Sequence, residues 1–247
     1  MNTTNWRGSV TVVVPALNEQ ANLSDAVESL LTALEQCGAE WEILIVNDGS
    51  TDSTPTLADE LGRSDPRIRV IHHDRPRGVG FAFREGVTTS TKDAITWMPG
   101  DGENEPLEVL KWLPKLADVD IVNPYVTNRS VRSRGRRALS TLYLRIVNLA
   151  FGTTFSYTNG NIIYRRRVFD AIDQVSDGFS FQLECLVKAV RAGFTFVEVP
   201  VRLLERKHGK SKALSLRSLR AVVSDFLRLF VDVRFRNRSR VASAVRK

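Results

Sequence analysis

"WEILIVNDGSTDSTPTLADELG", residues 41–62, decides the fold. Its apolar run does not alternate with polar residues, as expected of a strand buried on both faces of a parallel sheet. The run ends at Asn47-Asp48-Gly49, a turn sequence. A short helix follows, with Pro55 in its first turn, where a missing N–H costs nothing. The same strand–turn–helix grammar extends in both directions. Upstream, "VTVVVPAL" (10–17) reads as a buried strand ended by Pro15. "SDAVESLLTALEQCG" (24–38) reads as a helix, with Val27, Leu30, Leu31 and Leu34 at helical spacing, Ser24 as N-cap and Gly38 as stop. Downstream come a strand, "IRVIHH" (68–73), a helix opened by glycines, "GVGFAFREGVTTS" (78–90), a strand, "DAITWM" (93–98), and a helix, "EPLEVLKWLPKL" (105–116). Strands alternating with helices predict a mostly parallel α/β sheet with helices on both faces. Ligands bind such sheets at the carboxyl ends of the strands. Three of those ends carry unusual chemistry: Pro15–Glu19, Asn47–Asp52 and Asp101–Glu105.

The last of these, in "ITWMPGDGENEP" (95–106), sets three carboxylates at alternate positions behind a buried strand. Like charges that close repel one another, and a cation would offset the cost. Composition narrows the remaining choices. The 247 residues suffice for one large α/β domain, and the apolar fraction of 43% supports a sizeable core. Cys37 and Cys185 form neither a disulfide framework nor a metal motif and read as core thiols; the three histidines form no metal motif either. The N-terminus lacks the pattern of a signal peptide, and no uncharged apolar stretch is long enough to span a bilayer. Charge is divided: residues 1–128 hold 10 Lys+Arg and 20 Asp+Glu, and residues 129–247 hold 25 and 8. An acidic half joined to a basic half suggests two jobs, one half holding a metal and the other anions, beside the plainer reading of the basic half as a soluble surface or a non-specific nucleic-acid binder. The basic half begins with the arginine-rich loop "NRSVRSRGRR" (128–137). It continues through an apolar-striped helix (136–152), a helix at 179–193, a strand at 194–203, the basic loop "ERKHGKSK" (205–212) and an amphipathic helix near 214–233.

"VVVPALNEQANL", "ILIVNDGSTDST", "RPRGVGFAFREG", the acidic turn and "EVPVRLLERKHGKSK" resemble, in order, the signatures of family 2 glycosyltransferases with the GT-A fold. Within that family the chain resembles the polyprenyl-phosphate glycosyltransferases of the dolichyl-phosphate mannose synthase type, from about residue 10 to residue 215. The resemblance implies a single Rossmann-like GT-A catalytic domain over 1–233, with a nucleotide-sugar half (10–125), an acceptor half with amphipathic interface helices (126–233) and a basic tail (234–247). It implies that a D-x-D element holds Mg²⁺ or Mn²⁺ against the donor diphosphate. The family pattern M-D-A-D-G-Q-H-D-P overlies Met98 to Pro106. Its second Asp becomes Asp101 and its Gln becomes Glu103, but its first Asp is Pro99. Asp101 and Glu103 are therefore the expected metal ligands, with hard oxygen donors suited to such ions. Glu105 is read as the acid at the start of the next helix.

By the same resemblance Pro15, Leu17, Glu19, Val46, Asp48 and Gly100 line the nucleotide-sugar site, where Glu19 and Asp48 supply acceptors for ribose hydroxyls and a base N–H. Gly78 and Gly80 either allow a close backbone approach or only begin a helix. Arg136 and Ser140, on the helix after the arginine-rich loop, match an acceptor-phosphate site, with Arg129 as a second clamp. Arg206 and Lys212 match the loop over the donor diphosphate. Guanidinium forks suit phosphate oxygens. A polyprenyl monophosphate carries about −1.5 to −2 charges at neutral pH and needs no general base. The implied function is an inverting, metal-dependent hexosyl transfer from a nucleotide sugar (GDP-mannose or UDP-glucose type) to a polyprenyl phosphate, peripheral on the cytoplasmic face of a membrane. A membrane-embedded partner protein stays open and no nucleic acid is expected, since the arginines accompany apolar stripes rather than stacking aromatics. Two other readings stand beside it: transfer to a hydroxyl with Glu184 as base, and a binding-only relative.

Overall fold

The computed structural model describes residues 6, 8–128, 134–202 and 216–236. Four parallel strands form the first half: β1 (Ser9–Ala16), β2 (Glu40–Asn47), β3 (Ile68–His72) and β4 (Ala94–Trp97). Helices α1 (Leu23–Cys37), α2 (Thr54–Ser64) and α3 (Val79–Thr89) connect them. Short α4 (Pro106–Leu110) and a 3-10 turn at Leu113–Ala117 replace the single helix expected at 105–116. Pro114 explains the break, because it cannot donate to the carbonyl a turn behind it. Helix α1 starts at Leu23 with Asn22 at its N-cap, so Ser24 lies inside the first turn and is not the cap.

The second half adds β5 (Ile121–Val126), α5 (Arg134–Phe151), β6 (Ile163–Arg165), α6 (Arg167–Ala171), α7 (Phe181–Arg191), β7 (Phe196–Val201) and α8 (Leu216–Val231). A π-helical turn at Asp232–Arg236 continues α8 past the expected start of the basic tail at residue 234. The sheet order among the described residues is β3-β2-β1-β4-β6-β5-β7. Only β6 runs antiparallel, between β4 and β5. At three residues it is too short to show a period in the sequence.

Successive residues of β1 serve opposite layers. Val10, Val12 and Val14 pack with Leu23, Val27, Leu30 and Leu34 of α1, and Val13 packs on the other face with Ala82 and Phe83 of α3 and with α7. Both faces are therefore covered, which is why the strands read as continuous apolar runs. Helix α8 docks on α5 through Phe226 and Phe230 against Phe151. Cys185 is buried and Cys37 half-buried; both are free thiols, and burial pushes both upward in pKa, away from the reactive thiolate. No helix among the described residues is long and apolar enough to cross a membrane.

Candidate active site

The carboxyl ends of β1, β2 and β4 are stitched together by the backbone. Asp48 N–H donates to Ala16 O at 2.9 Å, Met98 N–H to Val13 O at 2.9 Å and Gly100 N–H to Pro15 O at 3.0 Å. The expected donor residues Pro15, Leu17, Glu19, Val46, Asp48, Gly100 and Asp101 thus surround one rim of the sheet. Val46 is fully buried beneath it and Leu17 is exposed above it. Pro99 falls between two residues whose N–H groups bond β1, so the donor it lacks is not used by that ladder.

Side chains then zip the loops. Asn18, held at φ 57, accepts from Thr51 N–H at 2.9 Å; Gln20 accepts from Ser53 N–H at 3.0 Å; Thr54 Oγ accepts from Glu19 N–H at 2.8 Å. These cross-loop bonds carried no motif signal, although the density of Asn, Gln, Ser and Thr in "LNEQ" and "STDST" is the composition they require.

The acidic turn folds on itself. Asp101 Oδ1 accepts the N–H of Glu103 at 3.0 Å, with Gly102 between them at φ 68. Glu105 occupies the N-cap position of α4 but makes no capping bond with its side chain. Glu19 shows what gathers here. Burial raises its pKa, and the charges of Asp101, Asp52 and Glu103 raise it further, against one opposing hydrogen bond from Asn22. Among the described residues no three His, Cys, Asp or Glu side chains come close enough to enclose a metal ion. The rim instead offers partly exposed carboxylates whose charges oppose one another. That suits an ion held by one or two carboxylates and completed by water and substrate phosphates, the usual habit of Mg²⁺.

Asp48 is only 4% exposed. Its Oδ1 accepts from Arg77 N–H at 2.8 Å and lies 2.7 Å from His73 Nδ1, while Oδ2 accepts from Gly78 N–H at 2.8 Å. It therefore also pins the loop that leads into α3. Gly78 and Gly80 do permit a close approach, but to the protein's own chain. A Cβ on Gly80 would lie 2.3 Å from Ser176 O, and one on Gly78 would lie 2.4 Å from Asp177 O. The 173–178 strap is in turn held by Glu184. Its carboxylate accepts from Val175 N–H at 3.0 Å, Ser176 N–H at 2.7 Å and Lys188 Nζ at 2.7 Å, at 3% exposure. A carboxylate so committed is a bracket for the strap; its geometry does not favour a general base.

A second cleft lies beside the rim. It is lined by Val126, by Arg137, Ser140 and Tyr143 of α5, and by the segment Ser156–Asn159. Burial, with the charge of Asp225, pushes the Tyr143 hydroxyl up to about 12, so it stays protonated. Among the described residues no carboxylate pairs with Arg137. Asn161, two residues after the cleft-lining Asn159, donates from Nδ2 to Trp97 O of β4 at 2.8 Å, four residues before Asp101. Ser140 thus sits at this cleft. Arg136 lies on α5, but its side chain is outside the described residues, as are Arg129, Arg206 and Lys212 entirely. Arg137 and Tyr143, which no motif marked, are the described groups that join Ser140.

Residues 11–173 match the family model described as "Glycosyl transferase family 2". The chain belongs to that family. A polyprenol monophosphomannose synthase from Mycolicibacterium smegmatis is 34% identical over 216 residues, covering 81% of this chain and 79% of the relative. An undecaprenyl-phosphate mannosyltransferase from Micrococcus luteus is 30% identical over 222 residues, covering 82% and 86%. Among solved structures, glucosyl-3-phosphoglycerate synthase from Mycobacterium tuberculosis, in complex with Mn²⁺, UDP and glucosyl-3-phosphoglycerate, superposes with a TM-score of 0.65 at 20% identity, covering 92% of this chain and 81% of that one. At that identity the likeness shows the fold, which is GT-A. This family 2 chain is accordingly a glycosyltransferase.

Proposed function

We propose that this glycosyltransferase moves a hexosyl group from a nucleotide sugar to the phosphate of a polyprenyl phosphate, with inversion, at a membrane surface. One observation carries the proposal. The Arg137–Ser140–Tyr143 cleft sits on the helix that also presents Leu139, Leu142, Ile146 and Leu149 to the outside. Leu149 is 88% exposed. A guanidinium and hydroxyls beside a bare apolar stripe match a ligand with a phosphate head and a hydrocarbon tail. Helix α8, which packs on α5, exposes Val223, Leu227 and Val231 as well. The names of the mycobacterial and micrococcal relatives point the same way.

In this reading Pro15, Leu17, Glu19, Val46, Asp48 and Gly100 cradle the nucleoside, and Asp101 and Glu103 would hold Mg²⁺ or Mn²⁺. The ion supplies positive charge to the leaving diphosphate. Arg137, Ser140 and Tyr143, with Arg136 on the same helix, orient the acceptor phosphate. An acceptor oxygen forms the new bond to the anomeric carbon, and the bond from that carbon to the diphosphate breaks, its electron pair leaving with the nucleoside diphosphate. The attacking oxygen is already ionised, so no proton need be removed, in keeping with Glu184 being bound to the strap. The protein would lie peripherally on the cytoplasmic face of a membrane.

The test is a panel of GDP- and UDP-sugars with a polyprenyl phosphate and either metal, read as labelled lipid. Asp101→Asn should abolish product, and Ser140→Ala with Arg137→Ala should lower it about ten- to a hundred-fold while nucleotide binding persists. Product from an alcohol acceptor alone, lost in Glu184→Gln, would replace this reading with hydroxyl transfer.

A further inference from the structure

His73 follows the last residue of β3, and its N–H bonds Asn47 O at 2.9 Å. Its side chain is 4% exposed and lies between two acids. Nδ1 is 2.7 Å from Asp48 Oδ1, and Nε2 meets Glu85 of α3. Phe81 closes the edge of the ring, with centroids 5.3 Å apart at 73°. Ionised carboxylates only accept, and a neutral imidazole has only one N–H to give. Two acids against both ring nitrogens therefore require a second proton within the trio. Other charges around the ring come through Phe81. Arg77 stacks on it at 3.5 Å from the centroid and Arg84 sits at 4.8 Å, itself paired with Asp177 at 2.8 Å.

We propose that His73 is a positioning residue for the donor cleft: as an imidazolium clamped between Asp48 and Glu85, it fixes Asp48 and the Arg77–Gly78 turn and makes nucleotide affinity fall in alkaline solution. This rests on Asp48 lining the donor site. Losing the proton has two effects. One of the two carboxylates then faces a lone pair, and the trio passes from a net charge of −1 to −2 next to a cleft that must accept an anionic nucleoside diphosphate. Burial disfavours the charged ring, but the hydrogen bonds and charges of Asp48 and Glu85 outweigh it and raise its pKa above the ordinary 6.5. The clamp is thus complete at and below neutrality and is lost as pH rises through the raised value.

The experiment uses the full chain, with UDP and GDP as probes in the presence of Mn²⁺ and calorimetric affinities measured from neutral to alkaline pH. A ¹⁵N spectrum of the His73 ring is recorded without nucleotide. The clamp predicts two ring protons at neutrality and an alkaline fall in affinity. Glu85→Gln keeps the shape and removes one acid, so that fall should move toward neutrality. His73→Gln should weaken binding about tenfold or more at neutrality and flatten the pH dependence, raising the donor KM without changing kcat. Thermal melts separate this from a purely structural role, which would lower stability without moving the pH midpoint of binding. An unmoved midpoint in Glu85→Gln, a singly protonated ring at neutral pH, or wild-type affinity in His73→Gln overturns the clamp. If the ring is doubly protonated yet neither nucleotide binds the wild type, the donor-site reading has failed, and the proposed gating with it.

Discussion

Replacing Lys188 by Met should loosen the strap that supports the start of α3. Lys188 Nζ donates to Glu184 at 2.7 Å, Asp173 O at 2.8 Å and Asp232 at 2.9 Å, at 4% side-chain exposure. Methionine keeps most of the buried stem but leaves the Glu184 carboxylate inside without its cation. Removing one partner of a buried ion pair costs about 3–5 kcal/mol; with packing retained, about 3 kcal/mol is expected. In a domain of this size each kcal/mol shifts Tm by roughly 2–4 °C, so the loss should be about 6–12 °C. The damage should spread locally. Gly80 N–H bonds Asp177 O at 2.7 Å, so a loosened strap frees the start of α3. Amide exchange at Val175, Ser176 and Gly80 should therefore accelerate more than in β1. The double variant Lys188→Met/Glu184→Gln should lose less than the sum of the two single variants, by about 1 kcal/mol or more, since the buried Glu184 carboxylate is then no longer stranded. The assays are thermal and urea melts with native-state hydrogen exchange. A single variant melting within about 2 °C of wild type, or strict additivity in the double variant, would refute the bracket role.

Gly80→Ala should destabilise by about 1–3 kcal/mol through its contact with Ser176 O, although alanine is the better helix former; a stabilised variant in a urea melt would contradict the packing described. Glu19→Gln should raise Tm slightly in metal-free buffer, because burial and neighbouring acids raise the pKa of Glu19 and make its charge unfavourable at neutral pH; an unchanged or lower melt counts against the carboxylate cluster. Glu42 is buried, which opposes its charge, yet bonds from Thr91 and Thr11 and the nearby Arg69 outweigh this and lower its pKa below the ordinary 4.5. Its contribution is present above 4.5 and is lost as pH falls through the lower folded value, so Glu42→Gln should cost about 1–3 kcal/mol at neutral pH and flatten the acid limb of stability, measured by melts across the acid range. Leu142→Asp with Leu149→Asp should abolish flotation with anionic vesicles while leaving nucleotide binding intact; equal flotation would remove the proposed membrane role of α5.

The half of the fold built from repeating strand–helix units was legible because burial on both faces writes itself as unbroken apolar runs, as in Ile43–Val46, and turns write themselves as "NDG". The carboxyl-end rule then points to the rim where Pro15, Asp48 and Asp101 lie. Strand β6 could not be read, since three residues have no period and their place between β4 and β5 comes from distant pairing. Nor could the partners of single side chains. That Glu184 brackets Val175 and Ser176, that Gly80 yields to Ser176 O and that His73 bridges Asp48 to Glu85 are contacts between segments that share no local pattern. Local propensity acts on neighbours in the chain, whereas a buried donor or acceptor is satisfied by whatever the packed layers bring within about 3 Å. The residue types therefore announced an acidic rim at the strand ends, and tertiary packing alone assigned Glu184 to the strap and gathered Arg137 and Tyr143 around Ser140.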